Sequence, residues 1–221
     1  MSINGLLTKV MFDKNPENEF FVEESFPLDW MYDHLTPFGI IMKINRNQLP
    51  ELTEEILTRD HEFWAKYSER LIGNWITYDT PVRDIVAFAE RTYLRRNFAG
   101  FKGDLKFARD DQAQKAFSKL RSSIGGVYAW RVNQATSNVL ALQDQLRRSP
   151  AQNQAALQAQ LAHWSAVRER MIKETDFAFR QAFAFCPYSP EAVFRYCQLL
   201  ISLQRFDDAY LIAETCRKLD P

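Results

Sequence analysis

The 221-residue sequence predicts a mainly α protein, in which a small N-terminal βαβ unit leads into antiparallel helices and a short hairpin tail. Three observations predict it. Seven glycines are few for a sheet sandwich and suit a helical chain. From Leu49 onward, apolar residues recur at helical spacing. Only residues 19–23 (EFFVE) and 39–44 (GIIMKI) have the aromatic and β-branched content of strands. The 17 phenylalanines and five tryptophans promise heavy aromatic packing in a chain long enough to bury a real core.

Residues 3–12 read as a short helix with Leu6, Leu7, Val10 and Met11 on its apolar side, ended by Asn15-Pro16. After the first strand, residues 27–35 fit a short helix that Thr36-Pro37 breaks, and the second strand follows. Strand, helix and strand within about 26 residues suggest a parallel, right-handed βαβ unit. Two strands alone are marginal, so this unit must lean on later helices or a partner.

Residues 53–59 form another short helix. Asp60 caps the next, which aligns Phe63, Trp64, Tyr67 and Leu71 and closes at Gly73-Asn74. Thr80 caps and Pro81 opens a helix reaching residue 96, with Val82, Ile85, Val86, Ala89 and Tyr93 inward. Residues 97–104 are a loop rich in glycine and aromatics. Asp110 or Asp111 starts a helix with Ala113, Ala116, Phe117 and Leu120 inward, weakened at Gly125-Gly126. Residues 127–147 continue helical, Ser149-Pro150 turns the chain, and residues 151–185 form one long helix seamed by Leu157, Leu161, Trp164, Val167 and Met171. Residues 134–160, rich in Ala and Gln, read as a protruding hairpin. The regions are therefore 1–48, 49–132, 133–170 and 171–221.

The last 32 residues carry a helical hairpin. Ser189 is the N-cap, Pro190 the first helical residue, and Val193, Tyr196, Cys197, Leu200 and Leu203 its buried face. Gln204-Arg205 turns the chain. The second helix has Asp207 and Asp208 in its first turn, Arg217 and Lys218 in its last, and Asp220-Pro221 as its stop. Its expected inner stripe is Phe206, Ala209, Ala213, Cys216 and Leu219. The pattern resembles a tetratricopeptide repeat, whose period is about 34 residues. A shift of 34 positions pairs Pro221 with Pro187, Leu219 with Phe185, Cys216 with Ala182 and Ala213 with Phe179, so one complete and one degenerate repeat are expected. The resemblance implies a groove lined by Glu191, Phe194, Arg195, Gln198, Ile201 and Ser202 that takes a protein or peptide partner. Phe194 and Arg195 are the natural anchors, although the same face also reads as a solvated surface with one stray phenylalanine. Tyr210, Leu211 and Ile212 are expected to lie partly bare, inviting further chain, a partner or self-association.

Residues 20–46 (FFVEESFPLDWMYDHLTPFGIIMKINR), 118–131 (SKLRSSIGGVYAWR) and 179–200 (FRQAFAFCPYSPEAVFRYCQLL) carry a second resemblance. Together they resemble the C-terminal soluble part of an uncharacterised family of multi-pass membrane proteins, grouped with protein O-mannosyltransferase-type glycosyltransferases. Leu35, Thr36, Pro37, Gly39 and Ile40 match that family's leucine, turn, proline, glycine and apolar-strand segment. The resemblance implies an extracytoplasmic tail of a membrane protein, in contact with a membrane-embedded portion of the same protein. Any glycosyltransferase activity would lie in a transmembrane part without counterpart here.

Composition narrows the chemistry. Lys plus Arg and Asp plus Glu number 28 each, so charge makes no case for nucleic acid or an anionic membrane. Cys186, Cys197 and Cys216 lack a CxxC spacing and read as buried fillers. The N-terminal residues hold no long apolar run, so neither a signal peptide nor a membrane span is expected. His34, His61 and His163 are scattered without metal-ligand spacing, and no phosphate-cradle or nucleophile-elbow motif is present. Glu23, Glu24 and Asp29 could serve as acid and base, but carboxylates beside a helix start are commonplace. The expected function is a non-catalytic interaction or scaffolding module without cofactor or metal, the tail of a membrane glycosyltransferase-like protein. The alternatives are a free-standing cytoplasmic tetratricopeptide adaptor, and a sugar-binding or enzymatic domain using residues 19–46.

Overall fold

The computed structural model describes residues 3–23, 27–148, 150 and 154–219. The chain is mainly helical, with a small N-terminal sheet followed by helices, in the order α1 (Ile3–Lys14), β1 (Phe20–Val22), a 3₁₀ turn (Asp29–His34), β2 (Leu35–Phe38), β3 (Ile41–Ile44), α2 (Glu54–Ile72) and α3 (Val82–Ala89). A π-helical turn (Glu90–Leu94) and a 3₁₀ turn (Phe107–Arg109) lead to α4 (Asp111–Arg148), α5 (Gln154–Phe185), α6 (Pro190–Ser202) and α7 (Phe206–Leu219). The antiparallel pair α4 and α5 is the frame on which the rest is laid.

The N-terminal unit departs from the parallel βαβ expectation. Its sheet has three antiparallel strands in the order β1-β3-β2. Phe20 faces Ile44 across one ladder and Leu35 faces Ile44 across the other. Thr36-Pro37 does not break the chain but lies inside β2, an edge strand, where proline's missing N–H costs no ladder bond. Gly39, at φ 66°, then reverses the chain in two residues, far too few for a parallel crossover. β1 and β2 do run in the same direction, but β3 is inserted between them. Helix α1 also turns the other way from expectation. Ile3, Leu6, Leu7, Val10 and Met11 are exposed, while Phe12 is buried among Phe20, Trp30 and His34 with the Arg46 guanidinium 4.3 Å from its ring. Burying one large ring in an aromatic cage decides the face.

Two apolar cores result. One joins the sheet (Val22, Leu35, Met42, Ile44) to Leu57, Ile124, Tyr128, Met171 and Ala178. The other packs Trp64, Leu71, Ile85, Phe88, Phe183, Phe185, Tyr196, Leu200 and Ile212 from α2, α3, α5, α6 and α7. A buried polar layer lies among α2, α4 and α5. Arg121 donates to Asp60 Oδ2 and to Gln181 Oε1, each at 2.8 Å, and Tyr128 donates to the same Asp60 oxygen at 2.7 Å. Gln181 in turn donates to Ser68 at 3.1 Å. Asp60 is therefore no cap. Thr53 caps α2, which runs unbroken through Asp60 because that carboxylate has a better partner inside.

Gly125-Gly126 is likewise no break, since α4 passes straight through it. A Cβ on Gly125 would come within 2.6 Å of the Phe179 ring, and one on Gly126 within 2.5 Å of an Arg195 nitrogen. The glycines let α5 and α6 approach α4 closely.

The C-terminal hairpin forms, with Ala209 buried between α6 and α7 and Gln204 at φ 59° in the turn. Its second helix is rotated relative to the expected stripe. Ile212 is fully buried and Ala213 exposed, because α7 also packs on α3 and the π-turn, where Lys218 reaches Glu90 at 2.7 Å. Of the proposed bare trio, only Tyr210 is exposed. The preceding half-repeat is the end of α5, a 32-residue helix whose antiparallel partner is α4. The stop at Asp220-Pro221 and the turn residue Ser149 lie outside the described residues.

Candidate functional site

The segment after α2 builds a cleft. Gly73 ends α2 in the left-handed region at φ 90°, and Asn74 follows at φ 34°, which swings Trp75 back beneath the next helix. Thr80 closes the connecting turn by accepting from the Thr77 amide at 2.8 Å. Helix α3 then runs into the π-turn, where the Arg95 amide reaches five residues back to the Glu90 carbonyl at 2.9 Å. Such turns recur at functional sites because the extra residue re-aims side chains. Arg96, at φ 49°, sends the chain into a loop that returns to the end of α2. There Asp104 donates its amide to the Arg70 and Leu71 carbonyls at 3.0 and 3.2 Å. A Cβ on Gly103 would stand 2.2 Å from the Leu71 oxygen, so only glycine lets the loop seat this closely.

Between α3 and this loop is a cavity of about 640 Å³, within the range of ligand pockets. Trp75, Phe88 and Phe101 make its aromatic wall, with Trp75 and Phe88 centroids 4.9 Å apart and Phe88 and Phe101 stacked at 6.2 Å. Trp75 Nε1 is shielded from solvent and has no hydrogen-bond acceptor among the described residues. Arg91, Arg95 and Lys102 bring three cations to the rim. Among the described residues Arg91 and Lys102 have no ion-pair partner, and Arg95 meets Glu90 only at 3.5 Å. Asp84 lies at the other end of the same α3 face, 3.7 Å from the exposed Arg83 guanidinium.

The six α6 residues marked by sequence share a surface, and none of them lines the cleft. Glu191, Phe194, Gln198, Ile201 and Ser202 are exposed. Arg195 is half-buried over Gly126 and donates to Glu191 at 2.7 Å, which neutralises both charges. Glu23 and Asp29 are exposed, and Glu24 lies outside the described residues. Among the described residues no group of three His, Cys, Asp or Glu side chains could hold a metal ion. His34 bonds the Asn45 carbonyl at 2.8 Å, and His163 bonds Glu51 at 2.6 Å.

One cluster has the look of acid–base chemistry. Glu174 receives His61 Nε2 at 2.5 Å and the Tyr78 hydroxyl at 2.9 Å, with Arg170 Nε 3.0 Å away. Burial pushes the Tyr78 phenol well up, and the neighbouring Glu174 carboxylate adds to it. Burial would also raise Glu174, but the bonds from His61 and Tyr78 outweigh it and hold that carboxyl below its ordinary value. The cluster ties the His61 position on α2 and the Tyr78 turn to Glu174 on α5. Burial pushes the Cys186 thiol up to about 12, far from a reactive thiolate.

Sequence reading passed over the cleft although a signal was present. Residues 91–109 contain six basic residues (Arg91, Arg95, Arg96, Lys102, Lys106, Arg109) and one acid (Asp104), interleaved with Tyr93, Phe98, Phe101 and Phe107. The neutral total charge hid that local excess. No described helix is long and apolar enough to cross a membrane. No family model matches the chain, and neither a curated protein nor a solved structure does so.

Proposed function

We propose that this chain is a non-catalytic binding module whose recognition site is the cleft between α3 and the loop that carries Phe101 and Lys102. The observation that carries the reading is the pairing of an aromatic wall with two cations, Arg91 and Lys102, that have no ion-pair partner among the described residues. The buried Arg121 and Arg180, by contrast, are held by Asp60 and Gln181 and by the Tyr78 and Thr80 carbonyls. Leaving Arg91 and Lys102 open at the mouth of a pocket suits an anionic ligand with a flat apolar part. The test is titration with anilinonaphthalene sulfonate, an anionic aromatic dye, followed by fluorescence. Saturable binding by the native chain, weakened at least tenfold in Arg91→Gln/Lys102→Gln, is the expected result. Equal binding by both proteins overturns the reading.

A second reading keeps the face of α6 as a protein-docking surface. Phe194 and Ile201 are 63% and 52% exposed, seven residues apart on one helical face, with Phe206 and Tyr210 exposed on α7. Because Glu191 and Arg195 close on each other, this face offers little charge and suits an apolar helix rather than an acidic peptide. In that role the module could serve the tail of a membrane protein, as the family resemblance implies, or an adaptor. Phe194→Ala should then abolish partner binding while leaving the melting temperature unchanged, and unchanged binding removes this reading.

A further inference from the structure

The order of groups along the cleft points to a narrower ligand class. We propose that it binds a purine nucleoside 5′-monophosphate, with the base against the aromatic wall and the phosphate at the arginine end; this rests on the cleft being a binding site at all. The lining runs from Asp84 through Ala87 and Phe88 to Arg91 and Arg95 along α3 and the π-turn, with Trp75 added from the turn after α2 and Phe101 and Lys102 from the loop. At about 1.5 Å per helical residue, Asp84 and Arg91 stand about 10 Å apart along the axis. The cleft is thus acidic at one end, aromatic in the middle and cationic at the other.

Each part selects a part of the ligand. The exposed rims of Trp75 and Phe101 offer flat apolar surface on which a base can stack, as it does on aromatic side chains generally. Ala87, with its small side chain, leaves room beside Phe88 on the helix face. Arg91 and Arg95, four residues apart at the cationic end, carry guanidinium forks that match a phosphate's oxygens. Asp84 accepts a hydrogen bond from an exocyclic amine or a ribose hydroxyl, a donor that a simple aromatic acid lacks. The cavity of about 640 Å³ accommodates one such molecule.

Calorimetric titration of the native chain with adenosine monophosphate, adenosine, ribose 5-phosphate and inorganic phosphate tests the proposal. The nucleotide is expected to bind at least tenfold more tightly than each of its two halves and than phosphate. Phe101→Ala should weaken the nucleotide roughly tenfold while leaving ribose 5-phosphate unchanged, and Arg91→Gln should likewise weaken the nucleotide while leaving adenosine unchanged. Arg91 is exposed, whereas Phe101 packs against the core beside Phe88, so unchanged ribose 5-phosphate binding also serves as the check that Phe101→Ala is folded. Phosphate or ribose 5-phosphate binding as tightly as the nucleotide overturns the proposal, as does a single-stranded oligonucleotide binding more tightly still. If the anionic dye binds and Arg91→Gln/Lys102→Gln abolishes it, yet no nucleotide displaces it, the cleft remains a binding site and the nucleotide class is wrong. If neither dye nor nucleotide binds, both conclusions fall.

Discussion

Two groups of cations divide this molecule. In the layer among α2, α4 and α5, Arg121 is fully buried and spends its guanidinium on Asp60, Gln181 and the Trp64 ring, whose centre is 5.1 Å away. In the cleft, Arg91, Arg95 and Lys102 surround aromatic rings and an open volume instead. A buried cation must be matched by the chain itself, because stripping its water costs several kcal/mol that only a partner offsets. A cation at the rim of a cleft stays hydrated until a ligand arrives, so the fold tolerates it unpaired. The first group specifies how helices meet; the second is available for recognition.

That contrast can be broken most forcefully at Arg121. Arg121→Met strands the Asp60 carboxylate in the interior and should destabilise the fold by about 3–5 kcal/mol in urea denaturation. Adding Asp60→Asn should recover part of the loss, since the stranded charge and not the lost contact carries most of it. Next in size is Gly125→Ala, whose Cβ would meet the Phe179 ring and should cost about 1–3 kcal/mol. Gly126→Ala meets only the movable end of Arg195 and should instead be neutral or slightly stabilising, by up to about 1 kcal/mol of helix propensity. Thermal unfolding of the pair separates close helix approach from propensity.

A third change sharpens the comparison through pH. Glu174 is held below its ordinary value by His61 and Tyr78 in spite of burial. A carboxyl lowered in this way stabilises the fold above its unfolded pKa, about 4.3, and that stability is lost as pH falls through the folded value. Glu174→Gln should therefore cost about 1–2 kcal/mol at pH 7. The gap to the native chain should close below about pH 4; a gap constant from pH 7 to pH 3 would show that charge plays no part. The smallest effect on stability belongs to the cleft. Arg91→Gln should shift folding by no more than about 0.5 kcal/mol, because its cation ties no element to another. A larger loss would mean that Arg91 belongs with the structural cations after all.

Much of the helical architecture was legible in the chain. Gly73 closes α2 at a positive φ, Asp110 accepts from the Ala113 amide at 3.0 Å at the start of α4, and Ala209 lies at the tight point of the hairpin. These rest on local stereochemistry, which a few neighbouring residues decide. The misreadings have a common cause in distant partners. Asp60 looks like a cap until Arg121, 61 residues away, claims it. Gly125-Gly126 looks like a break until Phe179 and Arg195 lean against it. Ala213 looks inward until α3 takes the other side of α7 and draws in Ile212. Of the marked α6 residues five are exposed and Arg195 is half-buried, whereas the cleft escaped notice because its lining comes from three separate stretches.

By itself the sequence determined the helical class, the principal helix positions, the hairpin at the C-terminus and the presence of strand-forming runs before residue 45, since spacing, caps and glycine content are local properties. Only the tertiary structure decided that the strands pair antiparallel about β3, which arginines are buried, and that Trp75, Phe88 and Phe101 share a cavity with Arg91, Arg95 and Lys102. Those outcomes depend on which distant surfaces win the competition for burial, and that competition is settled by packing between elements rather than by the order of residues within one.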